Sequence, residues 1–274
     1  MGDLNDKHIL VVGLGNMATA LISGLLRSAV VNPLNVTAVV HGLKSQQNAE
    51  LLGVNTVSGV EALEKPVDIV LLAVKPQVMA DVLPLCKGLV CADTLFISIA
   101  AGVSIERLTD ALGKKASIIR AMPNTPVAVG EGMAAIYAPS HVSDLHQKWA
   151  DSIFSASGAC LFVPKEGQMH AVTALSGSGP AYFFYFIEAL AEAGVAAGLS
   201  KTDSYKLAIG TCKGAGVYAN ACFPAKSIEE LRENVTSKGG TTAAGLAVLK
   251  ASNLKGICSQ VVDKAIKVSI SLDM

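Results

Sequence analysis

The 274-residue chain carries 22 basic and 22 acidic side chains, so its formal net charge is zero and no surface for nucleic acid is expected. Hydrophobic residues make up 51% of the chain and charged residues 16%, which raises the question of a membrane span. The most apolar stretch, residues 172–199, contains Glu188 and Glu192 one helical turn apart, and a span would bury both carboxylates at high cost. We therefore expect a helix buried in protein, for which a subunit interface is one place, and no membrane role.

The first apolar run, residues 9–12, is short and no small-residue cleavage site follows it, which favours a cytoplasmic protein. Six cysteines lie in apolar surroundings and form no Cys-x-x-Cys pair. Buried free thiols are therefore expected rather than a metal site or disulfides. The cysteines are Cys86, Cys91, Cys160, Cys212, Cys222 and Cys258.

Apolar runs of strand length alternate with helical stretches between residues 8 and 163, a pattern typical of repeated β-α units on a parallel sheet. Their nearly continuous apolarity suits strands that helices cover on both faces. The chain length fits about two domains, and we expect the first to span residues 1–164. The predicted strands begin at His8, Asn35, Val67, Thr94, Ala116, Gly132 and Ala159.

Residues 165–274 change character, because strand-like runs vanish and helix formers dominate. Helices are predicted over residues 182–197, 202–221 and 259–272. The last of them has an apolar face, with Asp263, Lys264 and Lys267 turned outward. Small residues between 210 and 216 would let helices approach closely, which fits a tight dimer or a tight monomer core. The second domain is therefore expected to be all-α.

A glycine loop follows the first predicted strand directly and opens an apolar helix, as in a dinucleotide-binding turn. The first glycine would permit the turn, and the second would let a pyrophosphate approach the backbone and the free N–H groups of the helix. A plain strand-to-helix turn is the alternative. The sequence thus predicts a Rossmann-like, doubly wound α/β sheet whose loop residues are Gly13, Leu14, Gly15, Asn16, Met17 and Ala18.

The end of the second strand indicates which dinucleotide is preferred, since a carboxylate there would receive the ribose hydroxyl of NAD. No carboxylate is present, and Lys44 with Ser45 and His41 would hold a 2′-phosphate. NADP(H) is therefore favoured, with NAD(H) left open. A solvated lysine is the alternative interpretation of Lys44.

Two further loops follow predicted strands, where open α/β sheets bind ligands. The first contains a lysine held rigid by the next proline, and the second ends in a glycine that would let a nicotinamide ring lie close to the backbone. Ordinary turn chemistry is the alternative. A stiff segment, residues 120–126, comes next with two prolines. The loop residues are Ala73, Val74, Lys75 and Pro76 in the first and Ala100, Ala101 and Gly102 in the second.

The helical half contains two glycine-rich turns, residues 174–182 and 237–242, each of which leads into a helix and suits an anion. Two such turns in a region with little other polarity indicate a small carboxylate ligand. The alternative is that both are only helix caps, because serine, threonine and glycine are favoured there in any case.

Taken together, these segments resemble those of the pyrroline-5-carboxylate reductases, from about residue 9 to the C-terminal helix. The resemblance lies in the Gly-Asn-Met loop, the Val-Lys-Pro segment, the Arg-x-Met-Pro-Asn-Thr-Pro segment, the Ser-Gly-Ser-Gly-Pro-Ala-Tyr turn and the Gly-Gly-Thr-Thr turn. It implies an oxidoreductase that passes a hydride from NAD(P)H to the C=N bond of 1-pyrroline-5-carboxylate. The product would be L-proline, in the last step of this amino-acid biosynthesis.

The resemblance also implies roles for particular residues. Residues 13–18 would hold the pyrophosphate, residues 73–76 and 100–102 would line the nicotinamide side, and Asn234 would lie near the cofactor ribose. Thr242 is the candidate catalytic residue, hydrogen-bonded to the imine nitrogen. In the family the active site lies between the cofactor domain of one subunit and helical-domain residues of a homodimer, and larger rings of dimers occur. The implied substrate-binding residues are Ser237, Gly240, Thr241 and Thr242.

This chain departs from the family pattern at two positions. Lys238 replaces the usual proline, which would loosen the substrate loop or add a positive charge to it. Gly59, beside Ser58, stands after the third strand where relatives often have asparagine, which affects the contacts expected on the adenine side.

Two other functions remain open on the sequence. A β-hydroxyacid dehydrogenase or a different imine reductase would share the architecture, but the first requires a Lys-x-x-x-Asn pattern. Asn220 has Gly216 four residues before it, and Lys213 lies seven before. A non-catalytic dinucleotide sensor or dimeric scaffold is the second alternative, although the intact substrate turns speak against it.

Overall fold

The protein forms two compact units in a computed structural model that describes residues 4–272. The first unit runs to Gly179 and also includes the chain from Lys264 onward, and the second is Pro180–Asp263. The end of the last helix therefore belongs to the first unit. The predicted division after residue 164 concerns functional domains and stays a prediction.

An eight-stranded sheet forms the centre of the first unit, in the order β3-β2-β1-β4-β5-β6-β7-β8. The four-residue strands β1, β2, β4 and β5 are completely buried, which explains their unbroken apolar sequences. The strands are β1 (Ile9–Val12), β2 (Val36–Val39), β3 (Asn55–Val57), β4 (Ile69–Leu72), β5 (Leu95–Ser98), β6 (Ser117–Met122), β7 (Gly132–Tyr137) and β8 (Gly158–Phe162).

Helices cover both faces of this sheet, and two separate hydrophobic clusters form the core. One cluster packs α1 and α5 onto the sheet through Leu21, Ile22 and Phe154. The other packs α3 and α4 through Leu83 and Leu108. The doubly wound prediction is thereby confirmed. The helices are α1 (Asn16–Arg27), α2 (Leu43–Leu52), α3 (Pro76–Cys86), α4 (Ile105–Leu112), α5 (Asp144–Ser155) and α6 (Gln168–Val172).

The sheet differs from the predicted all-parallel arrangement at one edge. β7 pairs antiparallel with β6, and β8 then pairs parallel with β7. The connection from β6 to β7 contains only the short 3-10 turn Thr125–Val129, whereas a parallel pair requires a longer crossover. β3 is not one of the seven apolar runs, because this three-residue edge strand is polar and largely exposed.

The helices of the second unit, together with the last helix, confirm the predicted helical character of this half. The predicted helices correspond to α7 (Gly179–Ala196), α8 (Lys201–Cys222) and α11 (Leu254–Ser271). Helix α10 (Thr241–Ala251) begins at the predicted glycine-rich turn of residues 237–242, whereas the short helix α9 (Ile228–Asn234) was not predicted. The apolar face of α11 is only partly as expected, since Val268 and Ile270 are exposed.

The second unit buries few apolar side chains in the single chain. Within residues 180–263 the buried hydrophobic residues are Ala191, Ala208 and Leu231, and the aromatic side chains of α7 are largely exposed. A single copy of the chain therefore does not bury this stretch, and its burial at a subunit interface stays a prediction. Among the helices that the structure describes, none is long and apolar enough to cross a membrane.

One buried hydroxyl group provides a test of packing. Ser157 Oγ is buried without a hydrogen-bond partner, and it faces Gly24 of α1. We expect Ser157→Ala to raise the free energy of unfolding by about 1 kcal/mol, because an unpaired buried polar group is costly. Urea denaturation measures the change.

The matched control is Ser204→Ala. Ser204 is also buried, but its Oγ donates to the carbonyl of Ala191 over 2.6 Å. This variant should lose about 1 kcal/mol of stability. Equal destabilisation by both substitutions would contradict the assignment of Ser157 as unpaired.

Candidate active site

The glycine loop after β1 depends on glycine at its first position. Gly13 has a φ of +95°, and an added Cβ would lie 2.7 Å from Val74 Cγ1 and 3.0 Å from the Val74 backbone nitrogen. Ala73 N, in the same neighbouring loop, donates to the Val12 carbonyl over 2.9 Å. The structure therefore brings together two of the segments that the sequence assigned to the cofactor.

The N-terminus of α1 is open at Gly15. Gly15 is the N-cap residue, an added Cβ there would meet no atom within 4 Å, and no side chain caps the helix. The first hydrogen bond of the α-helix joins Thr19 N to the Gly15 carbonyl. The N–H groups of Asn16, Met17 and Ala18 come before it and therefore have no partner within the helix. Free N–H groups beside open space fit a pyrophosphate.

The loop after β2 carries the residues predicted to select the cofactor. His41 and Lys44 are both exposed, and Gly42 is the N-cap of α2. Ser45 Oγ donates to the Gly42 carbonyl over 3.0 Å, so its proton is already engaged within the loop. The side chains of His41 and Lys44 therefore remain available to a phosphate group of the ligand.

The loop after β4 leads into a second helix N-terminus. Lys75 is the exposed N-cap residue of α3, and Pro76 occupies the first helical position, where its missing N–H costs nothing. The proline explains why the helix begins here. Because β4 is parallel to β1 and next to it, the helices α3 and α1 both begin at the carboxyl ends of neighbouring strands.

The loop after β5 requires glycine for a reason that the sequence did not indicate. Gly102 has a φ of +72° and is buried, and an added Cβ would lie 2.5 Å from Leu272 Cβ and 3.0 Å from the Ser269 carbonyl oxygen. The C-terminal end of α11 thus packs directly on this loop. Ala100 is 8% exposed, and Ala101 is more exposed than its two neighbours.

In the second unit, the turn before α10 forms a further open helix N-terminus. Gly240 is its N-cap with no side-chain cap, and Gly240 N donates to the Ser237 carbonyl over 3.1 Å. The helical ladder starts with Ala244 N and the Gly240 carbonyl, at 3.1 Å. Ser237, Thr241 and Thr242 are exposed, so hydroxyl and N–H donors lie together at this open helix N-terminus, an arrangement that suits an anion.

The segment before this turn is held by its own helix. Ser227 and Glu230 form a capping box at the start of α9, and the hydrogen bond from the Ser227 backbone lowers the pKa of Glu230. Asn234 is the exposed last residue of α9, and Thr236 Oγ1 donates to the Arg232 carbonyl over 2.6 Å. Asn234 is therefore available to a ligand, whereas the Thr236 hydroxyl is engaged.

A polar link between two motifs was not foreseen. Asn124 is 8% exposed, its Oδ1 accepts from Met133 N over 2.9 Å, and its Nδ2 donates to the Ser176 carbonyl over 3.3 Å. Gly177 lies against the Met122 side chain. The Met-Pro-Asn segment thus fixes the turn at which α7 begins, and a separation of 52 residues leaves no periodic signal for this contact.

The cysteines are free, as expected, but only Cys86 is classed as buried. Burial raises the pKa of the Cys86 thiol to about 11. Cys91 and Cys258 are exposed, which corrects the expectation that all six are buried.

The β-α order, the open helix N-terminus after β1 and the ligand-facing edge of the sheet define a Rossmann-type dinucleotide-dependent oxidoreductase with an appended helical region. A family model described as "NADP oxidoreductase coenzyme F420-dependent" matches residues 8–102. A second, described as "Pyrroline-5-carboxylate reductase dimerisation", matches residues 166–272.

Whole-length relatives agree with this class. The chain is 38% identical over 270 residues to pyrroline-5-carboxylate reductase of Haemophilus influenzae, covering 98% of this chain and 97% of that one. A Coxiella burnetii pyrroline-5-carboxylate reductase structure matches with a TM-score of 0.91 and 34% identity, covering 98% and 100%. A Plasmodium falciparum pyrroline carboxylate reductase structure with NADP bound matches with a TM-score of 0.87 and 31% identity, and the match covers 98% of this chain and 99% of that one. The chain belongs to the pyrroline-5-carboxylate reductase family.

Proposed function

We propose that this protein reduces 1-pyrroline-5-carboxylate to L-proline, preferentially with NADPH. The observation that carries the proposal is the open N-terminus of α10, where exposed Ser237, Thr241 and Thr242 surround uncapped backbone N–H groups. Such a turn suits one carboxylate and one ring nitrogen. Membership of the family supports the choice of substrate.

The first unit supplies the groups that fit a dinucleotide. Reduced nicotinamide provides a hydride when it is bound. The N–H groups at the start of α1 would hold the pyrophosphate, and residues 73–76 and 100–102 would line the nicotinamide side. Asn234, from the second unit, would lie near the ribose. Contacts of this kind would orient the cofactor without any charged catalytic side chain.

The second unit supplies the groups that fit the substrate. Ser237, Gly240 and Thr241 would donate hydrogen bonds to the carboxylate, because these donors lie at the positive end of a helix dipole. Reduction of a C=N bond adds a hydride to carbon and a proton to nitrogen. Thr242 would donate a hydrogen bond from its hydroxyl group to the neutral ring nitrogen and pass its proton there as the hydride reaches carbon, and water would then reprotonate the hydroxyl group. Thr242 is therefore the proposed catalytic residue.

The preference for NADPH rests on the loop after β2. Exposed Lys44 would bind the 2′-phosphate, and a charge-assisted hydrogen bond contributes about 1.5 kcal/mol. We expect Lys44→Ala to raise the KM for NADPH about tenfold and to leave the KM for NADH unchanged. Steady-state kinetics with both cofactors measures this. Lys114→Ala, at an exposed lysine before β6, is the control, and an equal effect of both variants would count against Lys44.

A homodimer is proposed from the exposed apolar side chains of the second unit. Phe183, Phe184 and Tyr185 on α7 are 62%, 63% and 74% exposed, and Leu207 and Val217 on α8 are similarly uncovered. An apolar surface of this extent marks an interface. The match to the dimerisation family supports a second copy as the partner. Sedimentation should give twice the chain mass of 28.2 kDa or, for a ring of dimers, a higher even multiple.

Free thiols suit a reducing compartment such as the cytoplasm, where we place the protein. The function is tested by following NADPH oxidation with 1-pyrroline-5-carboxylate and with a panel of hydroxyacids. Turnover with the imine and formation of proline are expected. Activity only on hydroxyacids would favour a dehydrogenase, and NADPH binding without turnover of any substrate would favour a dinucleotide sensor.

A further inference from the structure

An ion pair between a buried arginine and a partly exposed glutamate lies next to the loop that follows β5. The side chain of Arg120, on β6, is 5% exposed, and its Nη1 donates to Glu166 Oε1 over 2.6 Å. β6 is hydrogen-bonded to β5, with Arg120 opposite Ser98 at the end of that strand. A buried guanidinium is costly without an anionic partner, so the position of the Glu166 carboxylate is strongly fixed.

The same carboxylate also holds the start of α4. Glu166 Oε1 accepts a second hydrogen bond from Ile105 N over 2.7 Å, and Ile105 is the first residue of the helix. The N-cap hydroxyl of Ser104 accepts from Arg107 N instead, so Glu166 serves an amide that the cap does not reach. A carboxylate at this end of a helix is also favoured by the helix dipole.

The loop of residues 99–104 is therefore held on several sides. Its first part is fixed by β5, where Ala100 N donates to Ser98 Oγ over 3.4 Å. Its middle is fixed by the contact of Gly102 with Leu272, and its end by the bond from Ile105 N to Glu166. Loss of the last of these contacts would release the end of the loop that adjoins residues 100–102.

We infer that Arg120 and Glu166 are positioning residues that set the place of the nicotinamide-side loop and hence the approach of the hydride to the imine carbon. This inference rests on the proposed function, because that function assigns residues 100–102 to the nicotinamide side. Neither side chain needs to touch the substrate. Their effect passes through the backbone of the loop and the first turn of α4.

The first test is Glu166→Gln, which keeps an oxygen acceptor for Ile105 N but removes the anionic partner of Arg120. We expect the kcat for imine reduction to fall between about 10- and 100-fold, with a larger primary isotope effect when the transferred hydride is replaced by deuteride. The Kd of NADPH, measured by fluorescence, should change less than about threefold, because the pyrophosphate site at α1 is untouched.

A second variant separates the two hydrogen bonds of the carboxylate. Ile105→Pro removes the N–H that Glu166 accepts and also reduces a partly buried side chain that packs against the core, and proline is well tolerated at the first position of a helix. The preceding residue, Ser104, has φ −75° and ψ 159°, which a following proline allows. We expect a folded protein with lower kcat and with faster amide exchange of residues 100–108. This variant keeps the inference testable if Glu166→Gln does not fold.

The matched control is Asp68→Asn. Asp68 has a similar arrangement at the amino ends of the central strands β1 and β4, since its carboxylate accepts from Lys7 Nζ over 3.1 Å and from His8 N over 2.8 Å. This variant should lower the unfolding temperature and leave kcat unchanged. A kcat within twofold of the unsubstituted enzyme for Glu166→Gln or Ile105→Pro would overturn the inference, as would a loss in kcat that Asp68→Asn shares.

The two proposals fail in different ways. An unsubstituted protein that does not turn over the imine would overturn the proposed function. An active protein in which either Glu166→Gln or Ile105→Pro keeps its kcat would overturn only the positioning role. Unchanged amide exchange of residues 100–108 in both variants would show that the loop is not held by Glu166, whether or not the imine is the substrate.

Discussion

Thr242→Ala is expected to lower the kcat for imine reduction about 100-fold, because a positioned hydrogen-bonding group in proton transfer contributes at least that much. Thr242 is exposed in the first turn of α10, and its hydroxyl group makes no hydrogen bond to any of residues 4–272. The Kd of NADPH should remain within about threefold of its original value, since the pyrophosphate site belongs to the first unit. Stopped-flow reduction and NADPH fluorescence titration measure the two quantities.

Two companion variants define what the Thr242 result means. Thr242→Ser keeps the hydroxyl group and should recover most of the lost turnover. Thr236→Ala removes a hydroxyl that is already bonded to the Arg232 carbonyl in the same segment, and it should have little effect on kcat. An unchanged kcat for Thr242→Ala, or equal losses for Thr236→Ala, would remove Thr242 from the proposed mechanism.

Gly15→Asp is expected to weaken NADPH binding at least about 100-fold while stabilising the protein. Gly15 is an N-cap in the extended conformation with open space around its Cα, and aspartate is among the best N-cap residues. Its carboxylate would accept the N–H groups of α1 and repel the pyrophosphate. Capping should add about 1 kcal/mol to the free energy of unfolding, so the loss of binding cannot come from unfolding.

The control for charge is Gly15→Ser, which caps the helix without adding a negative charge. It should bind NADPH more tightly than Gly15→Asp at a similar unfolding temperature. A contrasting result is expected for Gly13→Ala, which places a Cβ against Val74 at a positive φ and should impair folding itself. Undiminished NADPH affinity in Gly15→Asp would show that the pyrophosphate is bound elsewhere.

The buried strands were predictable from sequence because both faces of each are covered, and unbroken apolar runs leave few other interpretations. β3 was not predicted, because an exposed three-residue edge strand has no such apolar run. The reversed direction of β7 follows from a connection too short for a crossover helix, which is a property of spacing and not of composition. The short helix α9 lies in the stretch where glycine and polar residues interrupt the pattern.

The candidate site was predictable where its residues lie in a single loop. Glycine at the turn after β1 and before α10 can be recognised from local chemistry alone. The links from Asn124 to Ser176 and from Arg120 to Glu166 span 52 and 46 residues, and no local pattern reports which buried polar groups will pair over such distances. The role of Gly102 was likewise hidden, because its partner Leu272 lies at the far end of the chain.

The end of the last helix belongs to the first unit, and this affects how the chain folds while the ribosome makes it. Ser269 Oγ is hydrogen-bonded to His170 Nδ1 over 3.0 Å, and Leu272 covers Gly102. These C-terminal residues therefore complete the packing of a unit whose other residues come much earlier in the sequence. Domains generally fold as the ribosome releases them, from the N-terminus onward. Here the first unit cannot reach its final packing until the second has also been translated. During translation, the loop after β5 therefore stays uncovered until the final turns of α11 have been synthesised.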